Sequence, residues 1–309
     1  MSEDEIKRLA RLRNNLERRA LVFKYIREFF DGQGFLEVDT PIRAPAIAPE
    51  AFIVPFQSED WCLAASPELH MKRLLAAGYE KIYQFSHCFR KGERGRWHNT
   101  EFIMLEWYRY GANYQKIIED TEQLITGVAG KLGFKKNITY RGQEIDLTTP
   151  WPRLTVSEAY LKHAGWDPAA KDDPERFDVD FIDKVLPNFA KDHPTILTDY
   201  PASQASLARL KPGNNKVAER AEVFIGGLEL ANAYSELADA AEQEKRFKDT
   251  IKQIKKERGQ TMPMPERFIE AMKSLPECGG IALGVDRLVM LLCDADSIDD
   301  VTAFTQDTA

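Results

Sequence analysis

The sequence predicts an α+β fold in which helices flank a largely antiparallel sheet. Three observations point there. A long helical periodicity opens the chain, strands then follow in runs without regular βαβ alternation, and no repeat or low-complexity linker divides the 309 residues. The opening helix is expected over Glu3 to Phe30, where Leu9, Leu12, Leu16, Ala20, Phe23 and Ile26 recur at three- and four-residue steps. It should stop at Asp31-Gly32-Gln33-Gly34, because glycine takes the positive φ that ends a helix. A strand over Phe35 to Val38 follows, closed by Pro41. Ser66 suits an N-cap and Pro67 the first position of a helix through Leu75. Strands are predicted near Lys81–Arg90 and Glu101–Tyr110, joined by a polar, basic loop. From about 113 to 192, helical segments alternate with Asp/Pro-rich connections such as Asp167-Pro168, and this stretch reads as a helical insertion. Strand signals return at Thr195–Tyr200 and Val223–Glu236, a charged helix is expected over Ala240–Arg258, and a strand then helix run from Gly280 to Leu292. Residues 1–309 read as one domain.

Composition removes several function classes. A hydrophobic share of 43% beside 29% charged residues is that of an ordinary globular chain. The first twenty residues are densely charged, with no secretory apolar segment. No later apolar run approaches the eighteen or so residues of a membrane span, so no membrane partner is expected. Cys62, Cys88, Cys278 and Cys293 contain no CxxC pair and read as thiols of a reducing, cytoplasmic compartment. The five histidines form no ligand cluster, so no structural transition metal is expected. A net charge of −7 argues against broad nucleic-acid binding, which rests on phosphate neutralisation. Lys7, Arg8, Arg11, Arg13, Arg18 and Arg19 are a local exception. Acidic residues interleave with them, so they read as a solvated helix face.

The most informative segment runs from Phe89-Arg90-Lys91-Gly92-Glu93 through His98-Asn99-Thr100-Glu101-Phe102 to Leu105-Glu106-Trp107-Tyr108-Arg109. This strand–loop–strand, about 82–109, resembles motif 2 of the class II aminoacyl-tRNA synthetases. Gly280-Ile281-Ala282-Leu283-Gly284-Val285-Asp286-Arg287, within about 280–292, resembles their motif 3. The first helix and its exit through Phe35-Leu36-Glu37-Val38-Asp39-Thr40-Pro41, about 16–41, resemble motif 1. The resemblance spans nearly the whole chain. It implies a class II catalytic core, a homodimer through motif 1, and activation of an amino acid by ATP with Mg2+.

The chemistry agrees with these residue types. Aminoacyl adenylation is an in-line attack of a carboxylate on the α-phosphorus of ATP, and no proton need be removed. Catalysis is then positioning and charge stabilisation, for which guanidinium forks suit phosphate and carboxylate. The resemblance places Arg90 between α-phosphate and substrate carboxylate, and Arg287 against adenine and γ-phosphate, as the catalytic pair. It places Glu93, His98, Asn99, Phe102, Glu229, Leu230 and Gly284 around ATP, with Phe102 on adenine and His98 at the triphosphate tail. Side chains alternate faces along a strand, so Phe102, Met104, Glu106 and Tyr108 share one face. Asn232, Tyr234 and Glu236 likewise share one. A carboxylate and a phenol on an apolar strip incur desolvation unless a cation joins them. By resemblance to lysine-specific class IIb enzymes, Glu106, Tyr108 and Glu236 take the substrate's side-chain ammonium, Glu68 its reacting amino group and Asn232 its carboxylate. Ser66, Tyr234 and Ala282 complete the substrate site. Glu222 and Glu229, flanking the hairpin signal Gly226-Gly227, are the implied Mg2+ carboxylates. Glu229 has the opposite parity to Asn232, and only a bulge, which the sequence does not reveal, would bring them together.

Three features separate the chain from a full lysyl-tRNA synthetase. About thirty residues precede motif 1, too few for an anticodon-reading OB-fold, so stable tRNA binding is not expected. Pro201-Ala202-Ser203-Gln204-Ala205-Ser206-Leu207-Ala208 resembles a segment of the truncated paralogues that ligate (R)-β-lysine to elongation factor P. Ala282 stands where lysyl-tRNA synthetases have glycine; its methyl either favours an amino group moved to the β-carbon or is tolerated drift. Two departures qualify this. Gly92 stands at the family's glutamate position, so either Glu93 takes the role through a shifted loop or the contact is lost. Ser235 stands where many of these ligases have histidine. The expected function is ATP-dependent ligation of (R)-β-lysine or lysine to a lysine side chain of elongation factor P. A lysine-activating enzyme that charges tRNA or a small acceptor, and a silent regulatory paralogue, are the alternatives.

Overall fold

A computed structural model describes residues 2–309. Helix α1 (Glu3–Gly32) begins where the Ser2 hydroxyl accepts from the Glu5 amide, with three acidic residues in the first turn. The short strand β1 (Leu36–Glu37) follows, then a small sheet of β2 (Arg43–Ala44), β3 (Gln57–Ser58) and β4 (Trp61–Leu63). Helix α2 (Glu68–Ala76) starts one residue later than expected, with Pro67 at the N-cap in helical dihedrals, while Ser66 Oγ accepts from the Glu68 amide at 3.0 Å. The long hairpin β5 (Lys81–Phe89) and β6 (Glu101–Tyr110) leads into α3 (Tyr114–Lys131). Beyond it lie the hairpin β7 (Asn137–Tyr140) and β8 (Gln143–Asp146), then β9 (Arg153–Thr155), α4 (Val156–His163) and α5 (Pro174–Asp180). The chain continues through β10 (Thr195–Pro201), β11 (Leu210–Lys211), β12 (Asn214–Ile225), β13 (Leu228–Ser235), α6 (Ala240–Arg258), α7 (Glu266–Met272), β14 (Cys278–Gly284) and α8 (Val285–Cys293).

The main sheet has the order β1-β5-β6-β14-β13-β12-β10-β9, with β11 paired to β12. Its pairs are antiparallel except β1·β5 and β10·β9 at the two ends. Helices α1, α3 and α8 pack together behind the central strands. Phe30 of α1 stacks on Tyr83, ring centroids 4.4 Å apart, and meets Phe35 and Trp107, so an aromatic block fixes α1 to the sheet. On the other side, α2, α6 and α7 bury Leu69, Leu75, Phe247 and Phe268 together at one end. Gly226 and Gly227, φ 60° and 81°, form the two-residue turn between β12 and β13, as their sequence signals.

Two expectations change. Residues 113–192 are not a helical insertion. Ile117, Leu124 and Ile125 of α3 are buried in the main core, β9 extends the main sheet, and β7·β8 is a hairpin. A helical satellite begins at α4, where Tyr160, Trp166 and Phe177 cluster. Nor is the basic side of α1 only a solvated face. Arg8 and Arg18 donate to the carbonyls of Ala303 and Leu292, and Arg19 lies 2.5 Å from Asp286. These arginines satisfy carbonyls near the C-terminal end, which a local reading of charge cannot foresee. Asp286 is buried and also accepts from the Ile103 amide at 2.8 Å. Arg19→Ala would strand that carboxylate. It is expected to lower the free energy of unfolding by about 3 kcal/mol in urea titration.

Candidate active site

A cavity of about 400 Å³ opens on the sheet face opposite α1, α3 and α8. Its floor follows from register. Asn232 stands opposite Ala282 and Ala282 opposite Glu106; two pairs along, Tyr234 stands opposite Gly280 and Gly280 opposite Tyr108. Alternation gives β14 a floor of Gly280, Ala282 and Gly284 on this face. Gly279, on the other face, leaves room for Ile117 of α3. A Cβ on Gly280 would lie 2.3 Å from the Tyr108 ring and 2.4 Å from Glu236 Oε1, so this position admits no side chain without displacing both.

At one end of the cavity, three carboxylates surround a phenol. Glu106 accepts from Ser66 Oγ at 2.6 Å and from the Tyr108 hydroxyl at 2.8 Å. Glu68 and Glu236 each lie 2.5 Å from the buried Lys72 ammonium. Burial, and then the Glu68 charge, push the Glu106 carboxyl up to about 8. Burial pushes Glu236 up to about 7 against the pull of Lys72. Lys72 is itself held protonated by both carboxylates against its burial. Neither Glu236 oxygen has a hydrogen bond of good geometry, and Oε1 sits over Gly280. The arrangement is short of positive charge.

The other end is cationic. Arg287 donates to the Glu229 carbonyl at 2.6 Å and to the Trp97 carbonyl at 3.3 Å, and its Nη2 lies 2.6 Å from His98 Nε2. Burial, then the Arg287 charge, pushes His98 down, so its neutral ring accepts from the guanidinium. Arg90 lies over the Phe102 ring at 5.2 Å and is 3.8 Å from Glu93, with its buried Nε lacking a partner. Gly92 takes φ 85°, turning the loop so that Glu93, and not residue 92, lines this cavity. Asn99 is buried at the rim, its Oδ1 accepting from the Thr100 amide.

Every residue expected to bind nucleotide or amino acid lines this one cavity: Ser66, Glu68, Arg90, Glu93, His98, Asn99, Phe102, Glu106, Tyr108, Glu229, Leu230, Asn232, Tyr234, Glu236, Ala282, Gly284 and Arg287. The parity difficulty at Glu229 is resolved. Val223 pairs with Ala231 but Phe224 with Glu229, so Leu230 is an extra residue in β13 and Glu229 shifts to the Asn232 face. Glu222 is the exception and does not line the cavity. Its carboxylate is taken by Arg220 at 2.5 Å, with Asn232 Nδ2 at 3.4 Å. Burial pushes it up, and the nearby Glu229 charge adds to this. The Pro201–Ala208 segment is stitched beside β13: Arg220 donates to the Gln204 carbonyl, Arg246 to those of Ser206 and Ala208, and Ser206 and Leu207 reach the cavity. Ser235 lies on the opposite face, buried, accepting from the Tyr114 amide at 2.9 Å to start α3. It says nothing of the substrate.

Sequence reading missed Lys72 and Glu50. The first had a signal, since Glu68 and Lys72 are four residues apart on a helix. Glu50 lines the cavity from an apolar loop; burial pushes its carboxyl up and Arg90 opposes this. Its sequence sign was an isolated carboxylate among alanines and prolines.

The raised carboxyls of Glu106 and Glu236 carry a pH consequence. Their folded pKa values exceed the ordinary carboxylate range, so the folded chain binds more protons than the unfolded one. This contribution to stability is present at low pH and lost as pH rises through about 7 to 8. The melting temperature of the ligand-free chain is therefore expected to fall between about pH 5 and pH 8.5. Stabilisation by added lysine, which brings ammonium groups, should grow over the same window in thermal scans.

The chain is similar to known proteins over nearly its whole length. The sequence pattern of the class II tRNA synthetases (D, K and N) matches residues 5–308. The elongation factor P–(R)-β-lysine ligase of Enterobacter sp. (strain 638) is 39% identical over 312 aligned positions, covering 96% of each chain. Those of Salmonella arizonae and Pectobacterium atrosepticum are 37% and 38% identical, again over 96% of each chain.

Proposed function

The chain belongs to the class II tRNA synthetases (D, K and N), and from that premise we propose that it activates (R)-β-lysine, or lysine, with ATP and ligates it to a lysine side chain of elongation factor P. The observation that carries this reading is the pairing of an anionic end and a cationic end within one cavity. Relatives alike over 96% of their length bear that ligase name.

The amino acid lies with its distal ammonium among Glu106, Tyr108 and Glu236, and its reacting-end amino group by Glu68. Its carboxylate meets Arg90 and Asn232. Arg90 lines the cavity with only a 3.8 Å ion pair to Glu93, which leaves its guanidinium to bridge that carboxylate and the α-phosphate. The charge that builds on the α-phosphoryl oxygens in the transition state falls on this guanidinium, already in place. Arg287 is held by the Trp97 and Glu229 carbonyls, so it presents a fixed edge to adenine and the outer phosphates. The carboxylate displaces pyrophosphate from the α-phosphorus. The acceptor ε-amine, in its neutral form, then attacks the adenylate carbonyl, AMP leaves, the nitrogen gives up one proton to solvent, and an amide forms.

Mg2+ fits here on the chemistry of the donors. Among the described residues no cluster of three or more metal-ligating side chains exists, and of the two implied carboxylates only Glu229 lines the cavity, Glu222 being paired with Arg220. Glu229, with Glu222 behind it, suits an ion that brings phosphate oxygens and water. Bound there, Mg2+ supplies charge neutralisation of the triphosphate. We extend the proposal to a homodimer through about 16–41, where Leu21 and Leu36 are exposed. Among the described residues no helix is long and apolar enough to cross a membrane, and a cytoplasmic site of action is part of the same reading.

ATP–pyrophosphate exchange tests the activation step. Exchange stimulated by (R)-β-lysine or lysine is expected; exchange that responds to neither isomer would refute the reading.

A further inference from the structure

Lys72 carries a charge that the reaction scheme does not use. It is 1% exposed in its side chain and does not line the cavity, yet its ammonium lies 2.5 Å from both Glu68 and Glu236, which do. It grips one oxygen of each from behind, Oε1 of Glu68 and Oε2 of Glu236, and joins α2 to the end of β13. The groups facing it are these two carboxylates, the Tyr108 ring at 6.0 Å, and, further off, Glu106 and the Cys278 thiol. With all three carboxylates ionised, as two bound ammonium groups would hold them, three carboxylates and one ammonium leave this end of the cavity two negative charges. Without substrate, the raised Glu106 and Glu236 hold part of that charge as protons. Lysine and its β-isomer carry two ammonium groups, while their carboxylate belongs to the cationic end.

We propose that Lys72 is a positioning residue that sets the charge of the pocket for a substrate with two ammonium groups. By fixing Glu68 and Glu236 from behind, it holds the carboxylates of both amino-group sites at one spacing. It also cancels the third negative charge, which would otherwise take up a proton or an inorganic cation. The inference rests on the reading that a lysine isomer is the substrate.

Two variants separate charge from hydrogen bonding. Lys72→Gln keeps a donor and removes the charge; Lys72→Arg keeps the charge. Pyrophosphate exchange is followed with (R)-β-lysine and with lysine from about pH 6 to pH 9, with the ATP KM read alongside. Lys72→Gln is expected to raise the KM for the amino acid on the order of 100-fold and leave that for ATP within about twofold. Without the cation, the acidic limb of the kcat/KM profile should move up by about one pH unit. Lys72→Arg should leave the limb in place. Should Lys72→Gln not fold, the double variant Lys72→Gln/Glu236→Gln, which removes both charges, is expected to fold. Where the single variant folds, the double should melt at a higher temperature than it. An unmoved limb and KM in Lys72→Gln, or a double variant less stable than the single, overturns the role of Lys72 while leaving the proposed function standing. Wild-type protein that activates neither isomer overturns both.

Discussion

Arg90→Ala is expected to lower the turnover of lysine-dependent pyrophosphate exchange by about a thousandfold. The guanidinium reaches the cavity between the Phe102 ring and Glu93, and its buried Nε has no partner in the protein. The residue itself lines the cavity, where its guanidinium can meet what enters. Its interaction grows as charge builds on the α-phosphoryl oxygens, so the loss falls on kcat more than on the KM for ATP. Arg90→Lys should recover little, since a point charge cannot span phosphate and carboxylate as a planar fork does. Arg287 offers the contrast. Its donors already serve Trp97, Glu229 and His98, so Arg287→Ala should loosen the loop around His98 and raise the KM for ATP. Steady-state exchange across ATP and lysine concentrations distinguishes the two. Equal effects on kcat and on both KM values would contradict this division.

Gly280→Ala is expected to remove lysine activation through a single methyl. The added Cβ would lie 2.3 Å from Tyr108 and 2.4 Å from Glu236 Oε1, so one or both must leave the position in which they line the pocket. Overpacking of this kind costs about 1–3 kcal/mol of stability. The functional loss should be larger, a KM for lysine raised at least on the order of 100-fold, because a misplaced carboxylate leaves the substrate ammonium buried without its partner. ATP binding, at the other end of the cavity, should change less than about threefold in equilibrium titration. Ala282→Gly makes a useful companion. Ala282 lies between Asn232 and Glu106 on the floor, so if its methyl favours the β-amino isomer, the glycine variant should shift the ratio of kcat/KM toward lysine.

Much of this site was legible because strands alternate. The face shared by Glu106 and Tyr108, and that shared by Asn232, Tyr234 and Glu236, follow from period two, and Gly226-Gly227 marks the hairpin that sets β12 against β13. What escaped depends on contacts distant in sequence. The bulge at Leu230 inverts the parity of Glu229 without a glycine or proline to signal it. Arg18 and Arg19 look like any solvated pair until the carbonyl of Leu292 and the carboxylate of Asp286 are brought to them. Periodicity makes α3 amphipathic, but only the fold shows its apolar side against β13 and β14 instead of in a separate insertion. Glu222 is the local exception: its partner Arg220 lies two residues away on the same strand face, a pairing that period two permits but does not require.

The same distinction bears on the two places where the sequence departs from family usage. At Gly92 a positive φ explains the residue, and the neighbouring Glu93 lines the cavity. At Ser235 the hydroxyl serves the start of α3, and no substrate preference follows from it. Neither position supports a silent paralogue.

Whether elongation factor P is the acceptor can be read from that protein's own mass. Purified elongation factor P is incubated with this protein, ATP, Mg2+ and (R)-β-lysine, and its intact mass and modified residue are read by mass spectrometry. A gain of one lysine residue on a lysine side chain is expected, abolished by Arg90→Ala. Elongation factor P of unchanged mass, under conditions where pyrophosphate exchange shows the adenylate forming, would contradict it.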